Sequence, residues 1–179
     1  AFANSYDTET GIDLEGTKSL SGRTLKDGEF TFEVKDKAGK VVATGSNKSD
    51  GSISFNNKLN YKLSDLEKAD GSYESEKTYE YTVNEVIPEG ATAENNYTVN
   101  GVTYDSKTVN VKVTVTYNKE TGELKAELAK DSEAIAFQNS YDTETSIGLE
   151  GTKSLSGRTL KDSEFTFEVK DKAGKVVAT

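Results

Sequence analysis

The chain has 179 residues, of which 33% are hydrophobic, and 31 acidic against 22 basic side chains give a net charge of −9. It contains no Cys and no His, which excludes disulfides, the common zinc and haem centres, and Cys–His or Ser–His–Asp catalysis. The acidic balance disfavours nucleic acid as a partner, and no apolar run reaches the roughly 20 residues of a membrane helix, so no membrane insertion is predicted. No cofactor and no metal are predicted.

Alternation of apolar and polar side chains predicts β-strands along most of the chain. In chain order, the clearest runs are 30–35, 109–117 and 124–128. Turns with glycine are predicted at 37–39, 49–51, 70–71, 100–101 and 121–122, and one short helical turn within 60–70. Many short strands joined by regular turns predict an all-β, immunoglobulin-like β-sandwich.

The end of the chain repeats its beginning. Residues 136–179 differ from residues 1–44 at four positions only, which are Ala3/Gln138, Gly11/Ser146, Asp13/Gly148 and Gly28/Ser163. The period of 135 residues (136 − 1) has the size of a whole domain, which predicts tandem domains rather than a solenoid. We therefore predict a complete module at 12–141. Residues 1–11 would be the tail and junction of a preceding repeat, and 142–179 the junction and first strands of a following one.

Three polar residues fall on the apolar faces of predicted strands. Lys18 shares its face with Leu14 and Leu20, Glu85 with Tyr81 and Val83, and Asn139 with Ile135 and Phe137. Side chains two residues apart in a strand point to the same side. We therefore expect a lysine, a glutamate and an asparagine to point into the core, from an early, a middle and the last strand.

Burial of these three groups has a chemical consequence. A lysine in an apolar pocket loses its proton and becomes nucleophilic, while a buried glutamate keeps its proton. The amine of Lys18 could then attack the side-chain amide of Asn139, with Glu85 as the acid that moves protons to the departing ammonia. The alternative from the residues alone is a buried Lys–Glu pair with Asn139 as an unreacted hydrogen-bond partner.

The chain resembles the pilin isopeptide-linkage domain, with a CnaB-like immunoglobulin-type fold, found in backbone pilins and surface adhesins of streptococci and their relatives. The matching stretches are EGTKSLSGRTLKDGEFTFEVKDKAGKVVATGSNKSDGSISF, TYEYTVNEVIP, VTYDSKTVNVKVTV and FQNSY. The resemblance implies an intramolecular Lys–Asn isopeptide bond between Lys18 and Asn139, with Glu85 as the catalytic acid. Asn4 and Lys153 are the equivalents of Asn139 and Lys18 in the neighbouring repeats.

These observations predict a structural function in a Gram-positive surface protein. The chain begins without a signal peptide and carries no LPxTG-type sorting motif or pilin-type polymerisation lysine motif, so we expect a piece of a longer, cell-wall-anchored extracellular adhesin. The module would be a stalk or spacer repeat whose partners are the neighbouring repeats, with a host-surface ligand bound by other regions. It would not be an enzyme, because the cross-link forms in a single turnover.

Two alternatives for the function remain open, namely a module that itself binds a host ligand and a pilin backbone subunit. The duplicated opening segment adds a further hypothesis about assembly. Residues 149–179 could replace residues 14–44 of another molecule, which would bring Lys153 to the Glu85 and Asn139 of that neighbour.

Overall fold

The computed structural model of the chain describes residues 6–179. It contains two compact units, the first ending at Thr143 and the second beginning at Glu144. Asn4 lies outside the described residues.

The first unit is built from strands. Their bounds are β1 (Glu9–Ile12), β2 (Glu15–Ser21), β3 (Thr31–Asp36), β4 (Val41–Asn47), β5 (Ser52–Phe55), β6 (Leu59–Lys62), β7 (Glu76–Glu85), β8 (Thr98–Val99), β9 (Val102–Thr103), β10 (Thr108–Tyr117), β11 (Leu124–Leu128) and β12 (Ala136–Tyr141). Two short 3-10 helices, Leu63–Leu66 and Ala93–Asn95, interrupt them. The all-β prediction is confirmed, and the helical turn predicted within 60–70 is the first of these helices.

Ten of these strands form one hydrogen-bonded sheet in the order β11-β10-β7-β3-β4-β5-β2-β12-β9-β8, while β1 pairs with β6. In a flat sheet, β3 and β12 would lie about 19 Å apart, since neighbouring strands are separated by about 4.8 Å. The rings of Phe32 on β3 and Phe137 on β12 are nevertheless only 5.1 Å apart between centroids. The sheet therefore curls over itself, and its two halves form the layers of the sandwich.

The core lies between these halves and follows the predicted alternation. Along β10, Val109, Val111, Val113 and Val115 are buried, and the residues between them are more exposed. Glycines with positive φ occupy all five predicted turns, namely Gly39, Gly51, Gly71, Gly101 and Gly122. Local sequence patterns thus determine the strand faces and the reversals between strands.

The repeat boundaries stay a prediction. Strand β1 (Glu9–Ile12) crosses the predicted boundary between residues 11 and 12 and pairs antiparallel with β6. Residues 9–11 thus take part in the fold of the first unit, although the repeat assigns them to the junction.

The second unit has little regular structure. It contains two short antiparallel strands, β13 (Val169–Lys170) and β14 (Val176–Ala178). Most of its large apolar side chains are exposed, and the largest exposed fractions belong to Ile147, Leu149 and Phe167. A segment of this size has too few residues to bury a core of its own.

Candidate cross-linking site

The three residues selected by strand parity come from three strands of the curled sheet. Lys18 lies on β2 and Asn139 on the adjacent parallel strand β12, where Phe137 is the register partner of Lys18. Glu85 ends β7, in the other half of the sheet, and pairs with Phe32 of β3. The curl brings the end of β7 across the core to face β2 and β12.

The carboxyl group of Glu85 connects the other two side chains. Lys18 Nζ lies 2.7 Å from Glu85 Oε2, and Asn139 Nδ2 donates to Glu85 Oε1 over 2.7 Å. Lys18 and Asn139 are separate side chains in this structure. All three residues are at most 5% exposed, so this polar cluster is enclosed in the apolar interior.

Aromatic rings surround the amine. Lys18 Nζ lies 4.6 Å from the ring centroid of Phe30 and 5.9 Å from that of Phe32. These rings exclude water but offer only their π faces to a charge, which leaves Glu85 as the sole strong partner of the amine among the described residues. The environment therefore penalises the charged forms of both Lys18 and Glu85.

Burial shifts the pKa values of Lys18 and Glu85 in opposite directions, so that the two values approach each other. Burial lowers the pKa of Lys18, although the hydrogen bond to Glu85 opposes this shift. Burial likewise raises the pKa of Glu85, against the opposing effect of its bonds to Lys18 and Asn139. The lowered pKa of the Lys18 amine and the raised pKa of the Glu85 carboxyl both favour the state in which the proton has moved from the amine to the carboxyl. A neutral amine and a carboxylic acid are the forms that nucleophilic attack on an amide requires.

A fourth residue, Asp105, also contributes to the site, although the alternation of side chains along the strands did not predict it. Its backbone N–H donates to Asn139 Oδ1 over 2.8 Å. Its carboxylate accepts from the backbone N–H of Gln138 at 3.0 Å and forms an ion pair with Lys107 at 3.1 Å. Burial raises the pKa of the Asp105 carboxyl, but the backbone N–H groups of Gln138 and Lys107 and the Lys107 ammonium outweigh burial, so the pKa is lowered.

Asp105 was missed because it lies in an irregular segment between β9 and β10, where period-two parity carries no meaning. The only signal was its position inside the stretch VTYDSKTVNVKVTV, which matches the family without pointing to a role. A buried polar residue, Asn47, was also missed. Its amide group binds the backbone of Phe30, Lys26 and Lys48, and so positions the loop that leads to Phe30.

Lys153, the equivalent of Lys18 in the following repeat, has no buried acid beside it among the described residues. Lys153 lies in the second unit, exposed, with Nζ 4.8 Å from the ring centroid of Phe165. Lys18 makes the equivalent contact with Phe30 in the first unit. This lysine–phenylalanine contact therefore depends only on residues within the repeated segment. Within residues 6–179, no group of acidic side chains is placed to hold a metal ion, and no helix is long and apolar enough to cross a membrane.

The all-β fold and the family comparison identify the first unit as a pilin-like isopeptide domain. Residues 14–142 match the family model described as FctA, the Spy0128-like isopeptide containing domain, and the chain belongs to this family. The resemblance seen in the sequence is thereby confirmed.

Two solved structures are similar to the chain. The major pilin from Streptococcus pyogenes is 20% identical, with a TM-score of 0.41, over 74% of this chain and 51% of the pilin. The T-13 major pilin from the same species is 19% identical, with a TM-score of 0.35, over 75% of this chain and 54% of that one. The chain thus spans about half the length of these pilins. No curated protein matches it in sequence.

Proposed function

We propose that the first unit is a structural module of an extracellular fibre, braced by an amide bond between Lys18 and Asn139 that Glu85 promotes. The observation that carries this proposal is the Glu85 carboxyl group, with one oxygen 2.7 Å from Lys18 Nζ and the other 2.7 Å from Asn139 Nδ2. A single acid thus touches both the nucleophile and the leaving group.

The reaction begins when the proton of the Lys18 ammonium passes to Glu85. The neutral amine attacks Cγ of Asn139, the C–N bond forms, and the carbonyl electron pair moves onto Oδ1. The backbone N–H of Asp105, 2.8 Å from Oδ1, is oriented to stabilise the negative charge that develops there. A preorganised donor of this kind is worth about 10²–10³ in rate in enzymes.

The intermediate then collapses with the help of the same acid. Glu85 gives its proton to Nδ2 of Asn139 and takes one from the former lysine nitrogen, so that the C–Nδ2 bond breaks and ammonia leaves. The balance is one amine plus one primary amide giving one secondary amide plus ammonia. Because the core holds the reactants in contact, the step is intramolecular and needs no cofactor.

The bond would join adjacent parallel strands near the two ends of the module, β2 and β12. By analogy with a disulfide closing a loop of this size, the unfolded chain is destabilised by roughly 5 kcal/mol. Tension that enters before Lys18 and leaves after Asn139 would pass through the amide bond, so the segment between them would carry no load. This property suits a fibre under mechanical stress outside the cell.

Family membership favours a pilin backbone subunit over the stalk of a single long adhesin, although the sequence was compatible with both. The tandem repeat of residues 1–44 at 136–179 favours the stalk, because a subunit polymerised from separate chains needs no internal copies. Both versions use the braced module in the same way. Surface anchoring and a host ligand are part of this proposal, and no particular contact in the described residues identifies such a ligand.

Intact mass spectrometry of the purified chain tests the bond. The wild type should be lighter than its sequence mass by about 17 Da, since ammonia leaves, and Glu85→Ala should have its full mass. Glu80→Ala is the control, because Glu80 is exposed on the same strand and pairs only with Lys37 among the described residues. A wild type of full mass would reduce the three residues to an unreacted buried cluster.

Detergent-resistant extracts of the native cell surface separate the two fibre types. A pilin backbone polymerises from separate chains and gives a ladder of bands on a denaturing gel. A stalk gives one band at the mass of a single long chain, and that band would overturn the pilin version while leaving the cross-link intact.

A further inference from the structure

One segment of the sequence is present twice in two different settings. Residues 6–12 read YDTETGI and precede the first unit's β2, while residues 141–147 read YDTETSI and follow its β12. The first copy shows how the segment contacts the module that it enters. The beginning of the second copy shows how it contacts the module that it leaves.

On the entry side, the segment is held from its first described residue. The Tyr6 hydroxyl donates to the carbonyl oxygen of Gly122 over 2.9 Å, and Leu63 N–H donates to Thr8 O over 2.9 Å. Glu9–Ile12 then continues as β1 along the edge of β6. A Cβ at Gly122 would lie 2.8 Å from the Tyr6 hydroxyl oxygen, so the glycine makes room for the tyrosine ring.

On the exit side, the same positions are held by other parts of the module. Tyr141 pairs with Val102 of β9, and Asp142 N–H donates to Gly101 O over 2.8 Å. The Arg23 guanidinium carbon lies 4.7 Å from the Tyr141 ring centroid. A Cβ at Gly101 would lie 2.6 Å from the Asp142 carbonyl oxygen, so a glycine again permits the close approach.

Aligning the two copies leaves no free residue between the two sets of contacts. The last exit contact is made at Asp142, the copy of Asp7, and the next residue, Thr8 in the entry copy, already accepts a bond from the following module. The tyrosine before them takes part in both sets, through its ring on the exit side and its hydroxyl on the entry side.

We propose that this segment is a rigid joint between consecutive repeats, and that the turn at Gly122 with the edge of β6 is the docking surface for the tail of the preceding repeat. The partner is therefore a second copy of this module in the same chain. The residues Glu144–Ile147 form no strand in the second unit, whereas Glu9–Ile12 form β1. The segment thus becomes a strand where a β6 edge is present to pair with it.

Residue-resolved hydrogen exchange on the full chain tests both sides of the joint. The Leu63 amide reports the entry side and the Asp142 amide the exit side, because each donates to the contact described above. In Gly122→Ala, hydrogen exchange at the Leu63 amide should accelerate about tenfold, because the contact loses roughly the free energy that one hydrogen bond contributes. The Asp142 amide should be unchanged, and Gly101→Ala should give the reverse pattern.

Gly39→Ala is the matched control. Gly39 has φ of +80°, close to the +77° of both Gly101 and Gly122, and nothing lies within 4 Å of a Cβ built there. The joint is refuted if either amide exchanges at the rate of an unstructured peptide in the wild type, or if Gly122→Ala and Gly101→Ala act no more strongly than the control. The mass deficit of about 17 Da, measured on the same samples, reports the cross-link separately.

Discussion

Residues 14–44 and 149–179 have the same sequence except at Gly28/Ser163, yet several of their apolar side chains differ widely in exposure. Leu14 is 5% exposed and its copy Leu149 is 65% exposed, while Phe32 is fully buried and its copy Phe167 is 60% exposed. In the first unit, this segment pairs with strands that come later in the chain, β5, β7 and β12, and Phe32 packs against Phe137 of β12. This segment therefore supplies one half of a core, and its apolar side chains are buried only where the strands of the other half are present.

The two lysines give the sharpest test of this comparison. Lys18→Ala should abolish the loss of about 17 Da, because the nucleophile is removed, whereas Lys153→Ala should leave it complete. Intact mass spectrometry of both variants measures the difference. Covalent dimers in Lys18→Ala would contradict the expected difference between the two lysines, since they would show that Lys153 reaches the Asn139 of another molecule by strand exchange.

Asp105 belongs to the half of the site that residues 149–179 lack. Asp105→Pro removes the N–H that Asn139 Oδ1 accepts, whereas Asp105→Ala keeps this N–H and loses only the carboxylate. We expect cross-linking to be about 100-fold slower in the proline variant than in the alanine variant. The rate is measured by mass after refolding a chain that was assembled chemically under denaturing conditions and is therefore unlinked. Circular dichroism shows whether both variants fold, and equal rates in two folded variants would remove the backbone N–H from the mechanism.

Phe32 and its copy Phe167 test how much each copy of the segment contributes to the free energy of unfolding. Phe32→Ala should lower the free energy of unfolding of the first unit by about 3–5 kcal/mol, because it leaves a cavity against Phe137. Phe167→Ala, the same change in the copy, should stay within about 0.5 kcal/mol. Urea unfolding followed by fluorescence of the tyrosines measures both. A large effect of Phe167→Ala would mean that the second unit is packed against a partner in solution.

A further small effect is expected at the one position where residues 14–44 and 149–179 differ. Gly28 has φ of +66°, its copy Ser163 has φ of +59°, and nothing lies within 4 Å of a Cβ built at Gly28. Gly28→Ser should therefore cost at most about 1 kcal/mol, the penalty of the left-handed backbone without a clash. A shift of the urea midpoint measures this cost. A larger loss would mean that the copies are not interchangeable as core segments.

Local patterns made part of the site predictable. Lys18, Glu85 and Asn139 were found because alternation along a strand fixes which side chains share a face, and this requires no knowledge of the partner strands. The contact of Glu85 with both other residues was expected from their chemistry, but it depends on the curl that carries the end of β7 to β2 and β12. Asp105 escaped prediction because its N–H points at Asn139 only after the segment before β10 has been placed beside β12.

The sequence by itself determined the strand faces, the turn glycines and the three residues with site chemistry, because these are properties of neighbours along the chain. Its internal repeat also showed that the same segment occurs in two settings. The tertiary structure alone shows that Leu14 and Phe32 are buried while their copies Leu149 and Phe167 are exposed, and that one carboxyl group contacts both an amine and an amide. Burial and reactivity arise from strands distant in sequence, and two nearly identical segments therefore differ wherever those strands are present for only one of them.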